Sequence, residues 1–188
     1  MSWPVVLTGI FMAYAVGSLA GGHFISKVFY DTDVRQVGSG NAGTMNVLRN
    51  LSIAAGIMTF VWDAVKGFLV VFLGLKGGGV ELAVPMALAA VAGHNWPVYW
   101  RFQGGKGLAT SLGVALALYP AIVLPAAVIL GLLVLVTHNS DLATVLTFSM
   151  LPFYFWLRQG PGWYLIFGLG LAAIIWLKHG PLLMRRSH

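Results

Sequence analysis

Seven apolar stretches joined by short polar links leave this chain few folds to choose from. They run Pro4–Ser26, Leu51–Leu75, Glu81–Ala92, Leu108–Leu118, Ala121–Val136, Leu142–Leu157 and Trp163–Lys178. A helix crossing a bilayer needs ~20 apolar residues, fewer where neighbouring protein buries its ends. The third and fourth stretches are short, as suits tilted helices or helices sheltered by their neighbours. Only 9% of the residues are charged, against roughly 25% in a soluble domain. The sequence therefore predicts an all-α, polytopic membrane protein of about seven transmembrane helices, organised as one domain over residues 1–188. Met1 to Val6 carries no Lys or Arg, so the first stretch reads as a retained helix, not a cleaved signal. The absence of cysteine excludes disulfides and thiolate chemistry.

The basic residues orient the row. With seven crossings, Lys27, Arg35, Arg49, Arg101, Lys106, Lys178, Arg185 and Arg186 all fall on one side, and His138 with them. The other side receives only Lys76 and Arg158. The positive side is cytoplasmic by the positive-inside rule. This predicts an outside N-terminus and a cytoplasmic C-terminus.

Two glycine-rich loops interrupt the apolar pattern, and both land on the predicted cytoplasmic side. The first is Gly38-Ser39-Gly40-Asn41-Ala42-Gly43, followed by Thr44, Asn46 and Arg49. The second is Gly104-Gly105-Lys106-Gly107, followed by Thr110 and Ser111. Clustered glycines let backbone N–H groups converge on an anion, and a following helix N-terminus adds partial positive charge. Ser39, Asn41, Thr44 and Asn46 add side-chain donors, and Arg49 adds a fork that matches phosphate. The first loop also satisfies G-x-G-x-x-G, but no strand precedes it, so it is no dinucleotide fingerprint. The second is not a Walker A loop, because Gly107 and not Ser or Thr follows Lys106.

Asp63 and Lys66 lie three residues apart on one face of the second stretch. Charge at that depth is costly and faces a polar interior. Two roles are open to the pair: Lys66 extends an anion site, or the two fix helix packing. His94 and His179 sit at helix ends. Five acids in the whole chain, Asp31, Asp33, Asp63, Glu81 and Asp141, give no metal-ligand spacing, and no metal or other cofactor is expected. No G-x-S-x-G elbow is present, and no histidine precedes an aspartate by five positions. Any reaction here relies on positioning and electrostatics acting on an already activated substrate.

Gly17-Ser18, Asp33-Val34-Arg35, the first glycine loop, Asn46-Val47-Leu48-Arg49, and Asp63, Lys66 and Gly67 resemble the first motif of a bacterial family. Gly93-His94, Pro97, Phe102, the second glycine loop, Ala109-Thr110 and Gly113 resemble its second motif. The family is the membrane acyltransferase that moves an acyl chain from acyl phosphate to glycerol 3-phosphate. The resemblance covers nearly the whole chain. It implies seven spans, a cytoplasmic active site, and lysophosphatidic acid and phosphate as products in phospholipid biosynthesis. It also implies a monomer whose partners are acyl phosphate, glycerol 3-phosphate and membrane lipids, with no nucleic acid. By this resemblance Ser39, Arg49, Lys106 and His179 are the catalytic set, holding phosphates and orienting the hydroxyl. Gly38, Gly40, Asn41, Gly43, Thr44, Asn46, Lys66, His94, Gly104, Gly105, Gly107 and Thr110 are expected to bind substrate.

The chain also departs from the family pattern. Met45 stands where the family has threonine. His138-Asn139-Ser140-Asp141 stands where it has Arg-Tyr-Val-Ser. Leu182 stands where the tail carries asparagine, and Ala20-Gly21-Gly22 replaces Pro-Thr-Gly. Asp141 repels a phosphate unless it is protonated or paired, with His138 the nearest partner in sequence. Three readings follow: the acyltransferase itself, a paralog with another acceptor, and a non-catalytic phospholipid- or anion-binding membrane protein. An anion transporter, suggested only by Asp63–Lys66 and the many glycines, lacks the internal repeat common in such folds.

Overall fold

A computed structural model describes residues 2–185, and Arg186 lies outside them. Among the described residues every regular element is a helix. In order come α1 (Trp3–Gly17), α2 (Gly21–Tyr30), α3 (Thr44–Asn50), α4 (Ile53–Asn95), α5 (Leu108–Leu118), α6 (Val123–Thr137), α7 (Ser140–Ser149), α8 (Leu151–Gln159) and α9 (Trp163–Arg185). Short 3-10 turns occur at Val34–Gln36, Val98–Trp100 and Pro120–Ile122. Four stretches are long and apolar enough to cross a membrane: Trp3–Tyr30, Ile53–Trp100, Pro120–Thr137 and Trp163–Met184.

Differences from the expected segments have local causes. The first stretch breaks at Ser18–Ala20 into α1 and α2. The second and third are the two arms, 53–77 and 80–95, of a hairpin within α4. Gly78 and Gly79 leave the helical region, with Gly79 at φ +67, a conformation that costs glycine nothing. The arms then run antiparallel, which places Gly74 against Ala83. The sixth stretch divides at Met150, because Pro152 in the first turn of α8 cannot donate to the helical ladder. α5 spans Leu108–Leu118 as expected.

The chain forms two compact units, Met1–Leu118 and Tyr119–His188. In the first, helices approach through small residues. Any side chain at Gly17 would strike the Ala90 backbone, at Gly93 the Tyr14 carbonyl, and at Gly113 the Ala64 carbonyl. Close backbone approach of this kind replaces the hydrophobic drive that lipid cannot supply. Ala13, Val70, Leu82, Met86 and Ala90 form a buried apolar cluster where α1 meets the hairpin. In the second unit, Phe155 is fully buried and packs edge-on to Tyr119, Tyr154 and Phe167 and stacks on Tyr164. α6 is apolar all round and buries none of its residues, the pattern of a helix whose surroundings are lipid. Outward-facing Leu135 (69% exposed) and Val136 (78%) belong to the same surface.

The Gly113 contact has a direct test. Gly113→Leu is expected to destabilise the detergent-solubilised protein by more than the ~1–3 kcal/mol of ordinary overpacking, read as a lower thermal midpoint, since the obstacle is backbone. Gly131→Leu, where no neighbour lies within 4 Å of the added carbon, is expected to leave it unchanged.

Candidate active site

The first glycine loop is built from inside by Asn46. From the first turn of α3, its Oδ1 accepts from the Ser39 N–H at 2.9 Å. Its Nδ2 donates to the Val37 carbonyl at 3.1 Å. Asn50 Nδ2 reaches the same Oδ1 at 2.9 Å. Gly38 (φ +55) and Gly40 (φ +69) take the left-handed turns this path needs, and a side chain at Gly38 would collide with Asn46 and Asn50. The Gly40 N–H goes to the Val37 carbonyl at 3.0 Å, and the Gly43 N–H to Asn41 Oδ1 at 3.1 Å.

This changes the sequence reading of the loop. The amides of Ser39, Gly40 and Gly43 are committed to the protein, so they do not form an open phosphate cradle. α3 is only seven residues long, which leaves its N-terminus little dipole. What the loop presents outward is side chains. Ser39 and Arg49 are exposed, Thr44 is half-buried, and Gly38, Gly40, Asn41, Gly43 and Asn46 shape the backbone that carries them.

Ahead of the loop, Asp33 caps the 3-10 turn by accepting from the Arg35 N–H at 3.0 Å. The Arg35 guanidinium grips the same carboxylate in fork fashion, at 2.9 Å (Nε to Oδ1) and 2.6 Å (Nη2 to Oδ2). That grip holds the Asp33 carboxyl down to about 2.

The second glycine loop lies on His94 and Asn95, the last residues of the hairpin. A carbon added to Gly104 would meet the His94 carbonyl. At Gly105 it would meet the His94 ring, and at Gly107 (φ +84) the Asn95 side chain, 2.6 Å from Oδ1. The Gly105 N–H donates to the His94 carbonyl at 3.2 Å. These glycines are thus packing surfaces first, and Lys106, half-buried, is the one residue of the four with a side chain. Thr110 is fully buried against Gly67 of α4, in a helix contact.

Lys66 and His94, expected to touch substrate, also turn inward. An ammonium has three N–H donors, and Lys66 Nζ has three partners: Asp63 Oδ1 at 2.7 Å, the Leu19 carbonyl at 3.1 Å and His94 Nδ1 at 3.0 Å. Asp63 Oδ1 also accepts from the Gly21 N–H at 3.1 Å, serving as the cap that Ala20 cannot provide for α2. Asp63, Lys66 and His94 are 1%, 6% and 2% exposed. Of the two roles left open by the sequence, the geometry supports the packing one.

Sequence reasoning missed the start of α2 as the bridge between the loops. Gly22 abuts the Ala42 backbone of the first loop. The neighbouring His23 donates from Nε2 to the Gln103 carbonyl ahead of the second loop at 2.6 Å, and stacks on Trp100 at 4.4 Å. A cleft of about 200 Å³ opens beside this bridge, lined by His23, Ser26, Lys27, Thr32, Asp33, Arg35 and Trp100. The available signal was the pair of adjacent residues, one without a side chain and one with a donor ring, where the first stretch breaks.

His179 belongs to the second unit. It is 1% exposed in the last helix, and its Nδ1 lies 3.0 Å from Asp141 Oδ1 in the first turn of α7. Asp141 is therefore paired, but with His179 and not His138, whose left-handed backbone (φ 51) ends α6.

An all-helical membrane protein with two glycine loops joined at one helix start, a buried charge knot beneath them and no cysteine nucleophile has the parts of an acyl-transfer enzyme that acts by positioning. The family profile for glycerol-3-phosphate acyltransferase matches residues 7–186, and the chain belongs to that family. It is 78% identical over 184 residues to glycerol-3-phosphate acyltransferase 1 of Moorella thermoacetica, covering 98% of this chain and 94% of the relative. Its fold is similar to the crystal structure of PlsY (YgiH), an integral membrane glycerol 3-phosphate acyltransferase, in the glycerol 3-phosphate form. The TM-score is 0.87 at 31% identity, over 97% of this chain and 92% of that one. The lysophosphatidic acid form matches at TM-score 0.83 and 29% identity, with the same coverage.

Two outcomes check this site. Asp63→Ala leaves Lys66 buried without its counter-charge, so the folded protein is expected to lose about 3–5 kcal/mol, read as a lower unfolding midpoint in detergent. Asp33, depressed from 3.8 to about 2, contributes stability that is fully present above pH 3.8 and is lost as pH falls through about 2. A carbon-13 titration of the Asp33 carboxyl is expected to show no protonation between neutral pH and pH 3.8, whereas Arg35→Ala moves its midpoint upward.

Proposed function

We propose that this chain transfers a fatty acyl group from acyl phosphate to the 1-hydroxyl of glycerol 3-phosphate, releasing phosphate and lysophosphatidic acid. The anhydride supplies its own activation, so positioning is enough and no enzyme nucleophile is needed. In this reading Ser39, Arg49 and Lys106 hold phosphate groups, His179 orients the acceptor hydroxyl, and a phosphate oxygen takes its proton as the carbonyl is attacked. The carbonyl carbon bonds to the acceptor oxygen, its bond to the phosphate oxygen breaks, and phosphate departs with the electron pair.

One observation carries the reading. Both loops converge on Gly22 and His23 of α2, so the exposed Ser39 and Arg49 and the half-buried Lys106 stand on one joined platform. Two phosphate-bearing substrates suit two such loops. The proposal extends to topology: seven crossings, with the arms of α4 counted separately and α7–α8 as one kinked span. The N-terminus is outside, the C-terminus and active site face the cytoplasm of the inner membrane, and residues 1–188 act as one monomeric catalytic domain.

Purified protein given palmitoyl phosphate and glycerol 3-phosphate is expected to release phosphate. Arg49→Ala and Lys106→Ala are each expected to lower the rate by about 100-fold, the scale for losing one anion-stabilising donor. Unchanged release in both variants would remove the assigned site. Turnover with a different hydroxyl acceptor alone would favour the paralog reading, and binding of acyl phosphate with no turnover would favour the non-catalytic one.

A further inference from the structure

Just ahead of the second loop, Arg101 and Phe102 both take left-handed backbone, at φ 53 and φ 62. A side chain in that region crowds the next carbonyl, so such a pair persists only where its surroundings hold it. The two side chains are exposed and do not hold it. Backbone bonds supply part of the restraint. The Phe102 N–H donates to the Pro97 carbonyl at 2.9 Å, and the Gln103 N–H to the Trp100 carbonyl at 3.0 Å. The rest comes from one ring on α2. His23 stacks on Trp100, the residue before the turn, with 4.4 Å between centroids and 10° between planes. Its Nε2 donates to the carbonyl of Gln103, the residue after the turn, at 2.6 Å.

The ring therefore grips the turn at both ends, and it does so from a fixed point. His23 is 2% exposed. It follows Gly21, whose N–H is anchored on Asp63, and Gly22, which has no room for a side chain against Ala42. From Gln103 the chain passes directly into Gly104-Gly105-Lys106-Gly107, so the turn sets the direction in which the loop departs.

We propose that His23 is a positioning residue for Lys106: by holding the left-handed turn at Arg101 and Phe102, it fixes where the second loop carries the Lys106 ammonium. The assignment rests on Lys106 acting in the reaction above. A carbonyl oxygen only accepts, so Nε2 must carry the hydrogen. His23→Phe keeps an aromatic face for Trp100 and loses that donor, whereas His23→Gln keeps a donor and loses the stack.

Nitrogen-15 histidine labelling of the full chain in detergent, with His23 assigned from His23→Gln, tests the grip on the unaltered protein. A protonated Nε2 is expected, and a lone-pair-bearing Nε2 overturns the proposal. With palmitoyl phosphate and glycerol 3-phosphate, His23→Phe is expected to lower kcat/KM for phosphate release about tenfold or more, the scale for a misplaced reacting group. His23→Gln is expected to recover part of that loss. So is Phe102→Gly added to His23→Phe, because glycine takes the left-handed turn without strain. The decisive comparison is made in Lys106→Ala. There His23→Phe is expected to change kcat/KM by less than about twofold, since the group it positions is gone, while the unfolding midpoint falls equally in both backgrounds. Equal losses of kcat/KM in the two backgrounds overturn the role of His23 and leave the proposed function standing. Unchanged release in Lys106→Ala overturns the assigned site and this role together.

Discussion

The first unit depends on a buried carboxylate. Asp63 is enclosed in a protein whose surroundings offer no water, and every polar group near it must be satisfied by the chain itself. Its Oδ1 accepts from the Gly21 N–H at the start of α2 and from Lys66 on its own helix, and Lys66 reaches on to His94 at the end of the hairpin. Each partner fixes an element that matters elsewhere. Gly21 sets where α2 begins, and the next two residues receive the two loops. His94 presents the surface on which the second loop lies. The charged residues that looked like site residues in the sequence are thus the support on which the site is assembled, one layer beneath it.

The glycines follow the same logic. In water, a glycine-rich loop beside a helix reads first as a place for an anion to meet backbone amides. Here the amides of Ser39, Gly40 and Gly43 have internal partners, and Gly104, Gly105 and Gly107 are small because His94 and Asn95 occupy the space a side chain would need. The loops are rigid mounts for the side chains they display. Rigid mounts suit an enzyme that works on a reactive anhydride, since misplacement by even an ångström costs rate.

Much of this was legible in the sequence. The apolar stretches located the helices, because lipid imposes a length and a composition on a spanning segment. The resemblance brought the family. Three things were not legible. The break at Ser18–Ala20 has no proline to announce it and is fixed by a carboxylate more than forty residues away. The partner of Asp141 is thirty-eight residues downstream, while His138 next door is turned aside by its left-handed backbone. The burial of Thr110 arises from contact with Gly67 on another helix, which periodicity in α5 cannot reveal. In each case the missing information is a long-range pairing, and a single sequence records pairing only weakly.

The hairpin of α4 has a further consequence. Its first arm begins after Ser52, next to α3, and its second arm ends at Asn95, next to the second loop. Its tip is at the opposite end, where Gly79 has no neighbour within 4 Å of an added side chain. The 80–95 arm separates the tip from the second loop by about 24 Å, and the 53–77 arm separates it from α3 by about 38 Å, at 1.5 Å per residue. Those distances make the tip a natural insertion point for a rigid fusion partner or an epitope, a handle by which this small, lipid-embedded protein can be enlarged for imaging or captured without disturbing either glycine loop.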